Sequence, residues 1–235
     1  MVNTTYIGNE LSLFSNAVRW KGYYSKQLGR FIRGRVLEVG AGIGETTGHL
    51  MKAGTASAWT CLEPDPALSS IISEKAKSDS LPLMPKIING TTGNLPEDCK
   101  FDTILYIDVI EHIENDATEL SRAIKHLNTG GHLIILVPAH NFLFSPFDAA
   151  IGHFRRYNRS RLNQAIPKGL SLVYQRYLDS LGMLLSISNK LFLRSKHPTL
   201  AQILFWDRFI VPLSRFTDFL FTYRLGKTLI GVWRA

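Results

Sequence analysis

A chain of 235 residues, 45% hydrophobic and 20% charged, has room for one α/β domain with an insertion and shows no collagenous or disordered bias. Two cysteines, Cys61 and Cys99, have neither CxxC nor metal-ligand spacing and make no disulfide framework, so a reducing compartment is the simplest setting. The net charge of +8 is uneven: residues 1–152 hold 13 Lys/Arg and 16 Asp/Glu, whereas residues 153–235 hold 14 and 3, which suggests an anionic partner or a solvated basic face.

The first 14 residues, "MVNTTYIGNELSLF", lack the basic stretch and apolar run of a signal peptide, which fits a cytoplasmic protein. Residues 1–34 read as an N-terminal helical cap. "RVLEV" (35–39) is a short apolar strand ending at glycines, followed by a predicted helix over 45–53. "AWTCL" (58–62) is a second strand, a helix begins near Pro66, and "KIIN" (86–89) is a weaker third strand. "FDTILYI" (101–107) is a buried strand, and "NDATELSRAIKHL" (115–127) has the apolar period of an amphipathic helix. "HLIILVP" (132–138) suits a central parallel strand. "LSLVYQRY" (170–177) and "KTLIGVWR" (227–234) close the series, with an apolar, basic helical insertion over about 179–226 between them. The insertion has no uncharged run near the ~20 residues of a spanning helix, so its helices cap the sheet, pair two chains or lie on a membrane surface. Repeated βα units predict a single domain with a doubly wound parallel sheet and ligands at the carboxyl ends of its strands.

"VLEVGAGIGETT" (36–47) carries the strongest chemistry. Gly40, Gly42 and Gly44 follow a strand and open a helix, so backbone can approach a ligand closely. A dinucleotide fingerprint would need glycine at 45, which is Glu45. Glu63, ending the next strand, can accept both hydroxyls of a ribose.

The segment Glu38–Gly44 matches ExGxGxG, and here the chain resembles the class I S-adenosylmethionine-dependent methyltransferases. The resemblance implies a mostly parallel seven-stranded sheet with an antiparallel last strand, and S-adenosylmethionine as cofactor. Glu38 would orient the loop and the methionine end, and Gly40, Ala41, Gly42 and Gly44 would pass close to the cofactor. Glu63 would hold the ribose, with Pro64 and Asp65 beside the adenine. Gly90 and Thr91 stand where the family often has Gly-Asp, a hydroxyl replacing the carboxylate that meets the adenine amine.

The acceptor side is less determined. Asp108, Glu111 and His112 form DxxEH, which on a helix shares one face. Ubiquinone-pathway O-methyltransferases and small-RNA 2′-O-methyltransferases, which this segment resembles, hold a metal there with ExxEH. The preferred reading is no metal, with Asp108 near the cofactor amine. The alternative is a divalent ion on Asp108, Glu111 and His112, joined by His140 or His153. His140, just past strand five, is a general base, an orienting donor or a structural residue. In "IGHFRRYN" (151–158), His153 is a candidate base, Arg155 or Arg156 a fork for an anion, and Phe154 and Tyr157 walls of an apolar acceptor pocket. Since neighbouring arginines diverge, one faces the acceptor and the other pairs with Asp148 or solvent; a basic loop pinned by salt bridges is the plainer alternative. The leading expectation is methyl transfer to oxygen or nitrogen of a small, acidic or lipophilic molecule. An RNA methyltransferase and a non-catalytic cofactor-binding or membrane-surface protein are the alternatives, with nucleic acid disfavoured because no separate RNA-binding module is visible.

Overall fold

The computed structural model describes residues 10–78, 81–190 and 198–235; the outer part of the expected N-terminal cap and residues 191–197 of the insertion lie outside these. Each apolar run becomes a strand: β1 (Arg33–Val39), β2 (Thr55–Glu63), β3 (Lys86–Asn89), β4 (Phe101–Ile107), β5 (Leu127–Pro138), β6 (Ser171–Leu178) and β7 (Thr228–Arg234). They form one sheet in the order β3-β2-β1-β4-β5-β7-β6. β1 pairs in parallel with β2 and β4, and β7 runs antiparallel between β5 and β6. The seven-stranded sheet with an antiparallel last strand and a helical insertion before it is therefore the fold the sequence pointed to.

Alternation of side chains along each strand divides the core in two. Val36, Leu105, Ile134 and Ile230 pack on one face, and Leu37, Ile104, Ile135 and Leu229 pack on the other. Helices α1 (Glu10–Phe14), α2 (Val18–Leu28), α3 (Thr47–Ala53), α4 (Pro66–Lys77), α5 (Asp116–Ala123), α6 (Pro146–Ala150) and α7 (Arg159–Ala165) fill the crossovers and the N-terminus. Three strands begin earlier than expected, β1 at Arg33, β2 at Thr55 and β5 at Leu127, and two helix boundaries also differ. The helix after β1 starts at Thr47 rather than Glu45, because the glycine loop is still turning through Gly44. The run 115–127 is α-helical over Asp116–Ala123 and tightens to a 3₁₀ turn at Ile124–His126, since Leu127 is drawn into β5 by pairing with Phe101.

The insertion contains α8 (Ser180–Ser188), α9 (Leu200–Phe205) and α10 (Val211–Leu220), the last two joined through a π turn at Trp206–Ile210. Its acids point inward. Asp179, fully buried, caps α8 by accepting from the Gly182 amide, and also receives Trp206 Nε1 (2.8 Å) and Ser214 Oγ (2.6 Å). A Cβ at Gly182 would collide with the Asp179 carboxylate, so glycine is required there. Asp218 accepts from the Asp179 and Ser180 amides and from Tyr23 Oη, while Asp207 receives the Arg19 and Trp20 amides at the start of α2. Buried carboxylates thus terminate helices from across the chain, and Asp179 also pairs with Lys227 (3.3 Å).

Candidate active site

The chain order reverses between β1 and β4, and the crevice at such a switch point is where open α/β sheets bind ligands. The loop after β1 fills it. Gly40, Gly42 and Gly44 have φ of 68°, 59° and 72°, a left-handed conformation that side chains resist. A Cβ on Gly40 would also lie 2.7 Å from Val109, just past β4, so bare backbone here lets the two strand ends close together. The Gly42 amide donates to Glu63 Oε2 (2.8 Å) and the Asp65 amide to Oε1 (3.0 Å). Burial raises the Glu63 pKa while these two amides oppose the shift. The Asp65 carboxylate caps α4 through the Ala67 and Leu68 amides. Pro64 accepts from Asn89, the Gly90 amide bonds the Glu63 carbonyl, and Thr91 forms a capping box with Asn94. Ala41 is buried under the loop.

Glu38, also buried, receives Thr47 Oγ1 (2.8 Å) and Trp59 Nε1 (2.9 Å), which tie the start of α3 to β1 and β2. Desolvation outweighs those bonds and pushes its carboxyl up to about 7. Leu11 of α1 is the nearest side chain to the open space beside Gly42. The buried Lys21 ammonium fastens α1 by donating to the Phe14 and Ser15 carbonyls, each at 2.8 Å. These features suit a nucleoside with a ribose: three bare glycines, a carboxylate fixed above them, and no Cβ intruding.

Beyond β4 the backbone of Asp108 takes φ 53°, and a single 3₁₀ turn spans Ile110–His112. Asp108 keeps exposed surface at the lip of the crevice, while desolvation of its carboxyl raises the pKa to about 6 against the pull of His153, Lys227 and Arg156. Glu111 has no exposed surface, and neither of its oxygens has a hydrogen-bond partner. Burial, then the nearby Asp108 charge, drive its pKa well above the carboxylate range. His153 Nε2 stands 3.9 Å from Glu111 Oε1, and His153 Nδ1 is 3.0 Å from Asp148 Oδ1. The His112 ring meets that of His153 edge to face at 4.5 Å, and burial lowers His112 to about 4, leaving it neutral at neutral pH. Glu111, His112 and His153 each offer a ligand atom, all within 4.8 Å of one another. One carboxylate and two imidazoles suit a divalent transition metal, with Asp148 orienting the His153 ring from behind.

A family model described as a methyltransferase domain matches residues 18–181. The chain belongs to the methyltransferase domain family. Solved structures share the fold at low identity. A chain of the Haloferax volcanii complex between the Trm112 methyltransferase activator and a candidate methyltransferase superposes with TM-score 0.64 at 16% identity, over 96% of this chain and 91% of that one. An S-adenosylmethionine-dependent methyltransferase from Clostridium acetobutylicum gives 0.54 at 12%, over 95% and 91%. The [4+2]-cyclase SpnF gives 0.60 at 14%, over 100% and 88%. No curated protein matches the chain. The family match makes it a methyltransferase, and its fold is one shared with solved S-adenosylmethionine-dependent methyltransferases.

In this methyltransferase the residues expected on the acceptor side separate into two groups. His153 faces the Glu111–His112 cluster. His140, at φ 63°, stacks on Tyr177 with ring centroids 4.8 Å apart, and burial lowers its pKa. Its Nε2 is buried without a partner. Arg155 turns away from the crevice, bridging Asp116 (2.9 Å) and donating to the Ile113 and Glu114 carbonyls. Arg156 grips Asp148 through Nε (2.8 Å) and Nη2 (3.0 Å). Both arginines are thus spent on acids, the outcome of a loop pinned by salt bridges. Tyr157 is fully buried and donates to Asp116 (2.7 Å), so it is a core residue rather than a pocket wall. Asp108 lies outside the three-residue cluster because the segment makes a left-handed step instead of an α-helical turn. Tyr24, whose hydroxyl lies 3.2 Å from Thr46 Oγ1 below the loop, and Lys227 were not singled out in the sequence, since both are placed by tertiary contacts.

Proposed function

We propose that this enzyme moves a methyl group from S-adenosylmethionine to an oxygen or nitrogen of a small lipophilic molecule, with His153 taking the acceptor's proton. The observation that carries this reading is the buried, unpartnered Glu111 facing His153 at the strand ends beside the glycine loop. A carboxyl left unsatisfied there costs about 1–3 kcal/mol, which a fold retains where a ligand completes the site. The glycine loop and Glu63 would hold the nucleoside, and the cofactor supplies an electrophilic methyl. Asp148 fixes the imidazole through Nδ1, leaving Nε2 to accept a proton, a contribution of about 10²–10⁴-fold when well placed. With Arg155 and Arg156 committed to Asp116 and Asp148, the motif offers no fork for an anionic acceptor, while exposed Phe142 and Phe154 offer apolar contact. The DxxEH likeness to ubiquinone-pathway O-methyltransferases favours oxygen.

A divalent cation is the second reading, favoured by the same orphaned carboxylate. Glu111, His112 and His153 would hold it, and it would supply Lewis acidity that lowers the acceptor's pKa. The test is incubation with methyl-labelled S-adenosylmethionine and a lipid extract or total RNA. Label is expected in the organic phase, lost in His153→Asn while cofactor affinity stays within about twofold. Label confined to RNA, or full turnover in His153→Asn, would reject the proposal. Metal analysis of purified protein before and after chelation, with Glu111→Gln as control, decides the second reading.

A further inference from the structure

The three acids of residues 153–235, Asp179, Asp207 and Asp218, are all buried as helix caps, so no carboxylate side chain reaches the surface of this third of the chain. Its outer face is instead apolar and cationic. Phe205, Phe209, Leu213, Phe216 and Leu220 recur at spacings of four, four, three and four, one stripe of a helix, with Phe219 beside it. These six are between 51% and 70% exposed. The side facing the core carries Asp207, Ser214 and Asp218 with Trp206 and Val211. Apolar side chains therefore occupy both sides: Trp206 and Val211 share the inside with the capping acids, while phenylalanines face water. Arg208, Arg215 and Arg224 are exposed on the same segment, and none forms an ion pair among the described residues.

We infer that this face docks on an anionic lipid bilayer, with the phenylalanines and leucines in the acyl boundary and the arginines at the headgroups. The argument is chemical complementarity. Aromatic and leucine side chains flanked by arginine, without acids, match an interface that is apolar below and negatively charged above. An interface between proteins would be expected to offer some exposed acid to such arginines, and a second copy of this face would oppose like charges. No helix among the described residues is long and apolar enough to cross a membrane, so the segment lies on the bilayer. Its roots, Asp179 and Lys227, are joined by an ion pair of 3.3 Å at the end of the sheet that holds the candidate site. The inference rests on this surface alone and does not depend on the proposed reaction.

Vesicle flotation with the full chain tests it. Vesicles with about one quarter phosphatidylglycerol should bind at least about tenfold more protein than pure phosphatidylcholine, and 0.5 M salt should weaken that binding. Phe209→Ser, Phe216→Ser and Phe219→Ser combined should abolish flotation with cofactor affinity and melting temperature preserved. In a separate variant, Phe216→Trp, the added fluorescence should be quenched by brominated acyl chains. Absence of flotation with anionic vesicles at low salt would overturn the inference, as would unimpaired flotation of the triple variant. A stable dimer that the triple substitution dissociates would assign the face to a second copy and would equally overturn it.

Discussion

The two halves of the crevice are built on opposite terms. On the cofactor side, Glu63 is held by two backbone amides and Glu38 by a hydroxyl and an indole. On the acceptor side, Glu111 is more deeply buried and accepts no hydrogen bond, with His153 Nε2 standing 3.9 Å away. The first half is preorganised by short-range geometry: a loop, its following helix and the end of the next strand. The second assembles from the ends of β4 and β5 and the segment past them, and leaves both Glu111 oxygens without a hydrogen bond. The difference suggests that cofactor binding needs little rearrangement, while most of the specificity resides where polar groups remain unpaid.

Breaking the second half should give the largest effect on chemistry. Glu111→Met is expected to lower turnover by about 10²-fold or more while raising the stability of the ligand-free protein by about 1 kcal/mol, because it removes an unpartnered buried carboxyl. Steady-state kinetics beside a denaturant titration checks both signs; a destabilised variant would mean that Glu111 has a partner in the folded protein. Gly40→Ala attacks the first half. The left-handed backbone and the Val109 contact together should cost about 3 kcal/mol, read as about 100-fold weaker cofactor binding by calorimetry.

The last test sharpens the comparison through pH. Glu38 is raised from 4.5 to about 7 by burial, so the folded protein holds that proton more tightly than the unfolded chain. Its contribution is fully present below about pH 4.5 and is lost as pH rises through 7, by at most about 3 kcal/mol. Glu38→Gln should flatten that part of the stability profile. An unchanged slope between pH 4.5 and 7 in unfolding titrations would show that Glu38 is ionised throughout.

Much of the geometry of the glycine-loop half was legible in the sequence because its determinants are local. The spacing from Glu38 to Gly44 and the placement of Glu63 directly after an apolar run are visible in one dimension, and the strand limits of β3 and β4 coincide with their apolar runs. β2 starts three residues earlier than its apolar core, at Thr55, because Thr55 and Ala56 pair with Arg33 and Gly34 at the exposed sheet end. The acceptor half depended on which acid each arginine would meet. Asp116 lies 39 residues before Arg155, and no periodicity records that pairing. Asp148 carried a readable sign, the Ser145–Asp148 capping box, but its hold on His153 and Arg156 required the fold. The buried acids of the insertion were equally hidden, since charge in a sequence is normally read as surface.

β6 ends and β7 begins as paired neighbours, Leu178 opposite Thr228, so everything between them enters and leaves the sheet through one gap. To the sheet, the insertion is the loop of a hairpin, and exchanging it changes no strand order. The Asp179–Lys227 ion pair closes that gap like a collar. The scaffold is therefore arranged for transplantation: a different head could be seated on the same collar, provided that it brings a ring to replace Trp206 against Trp20.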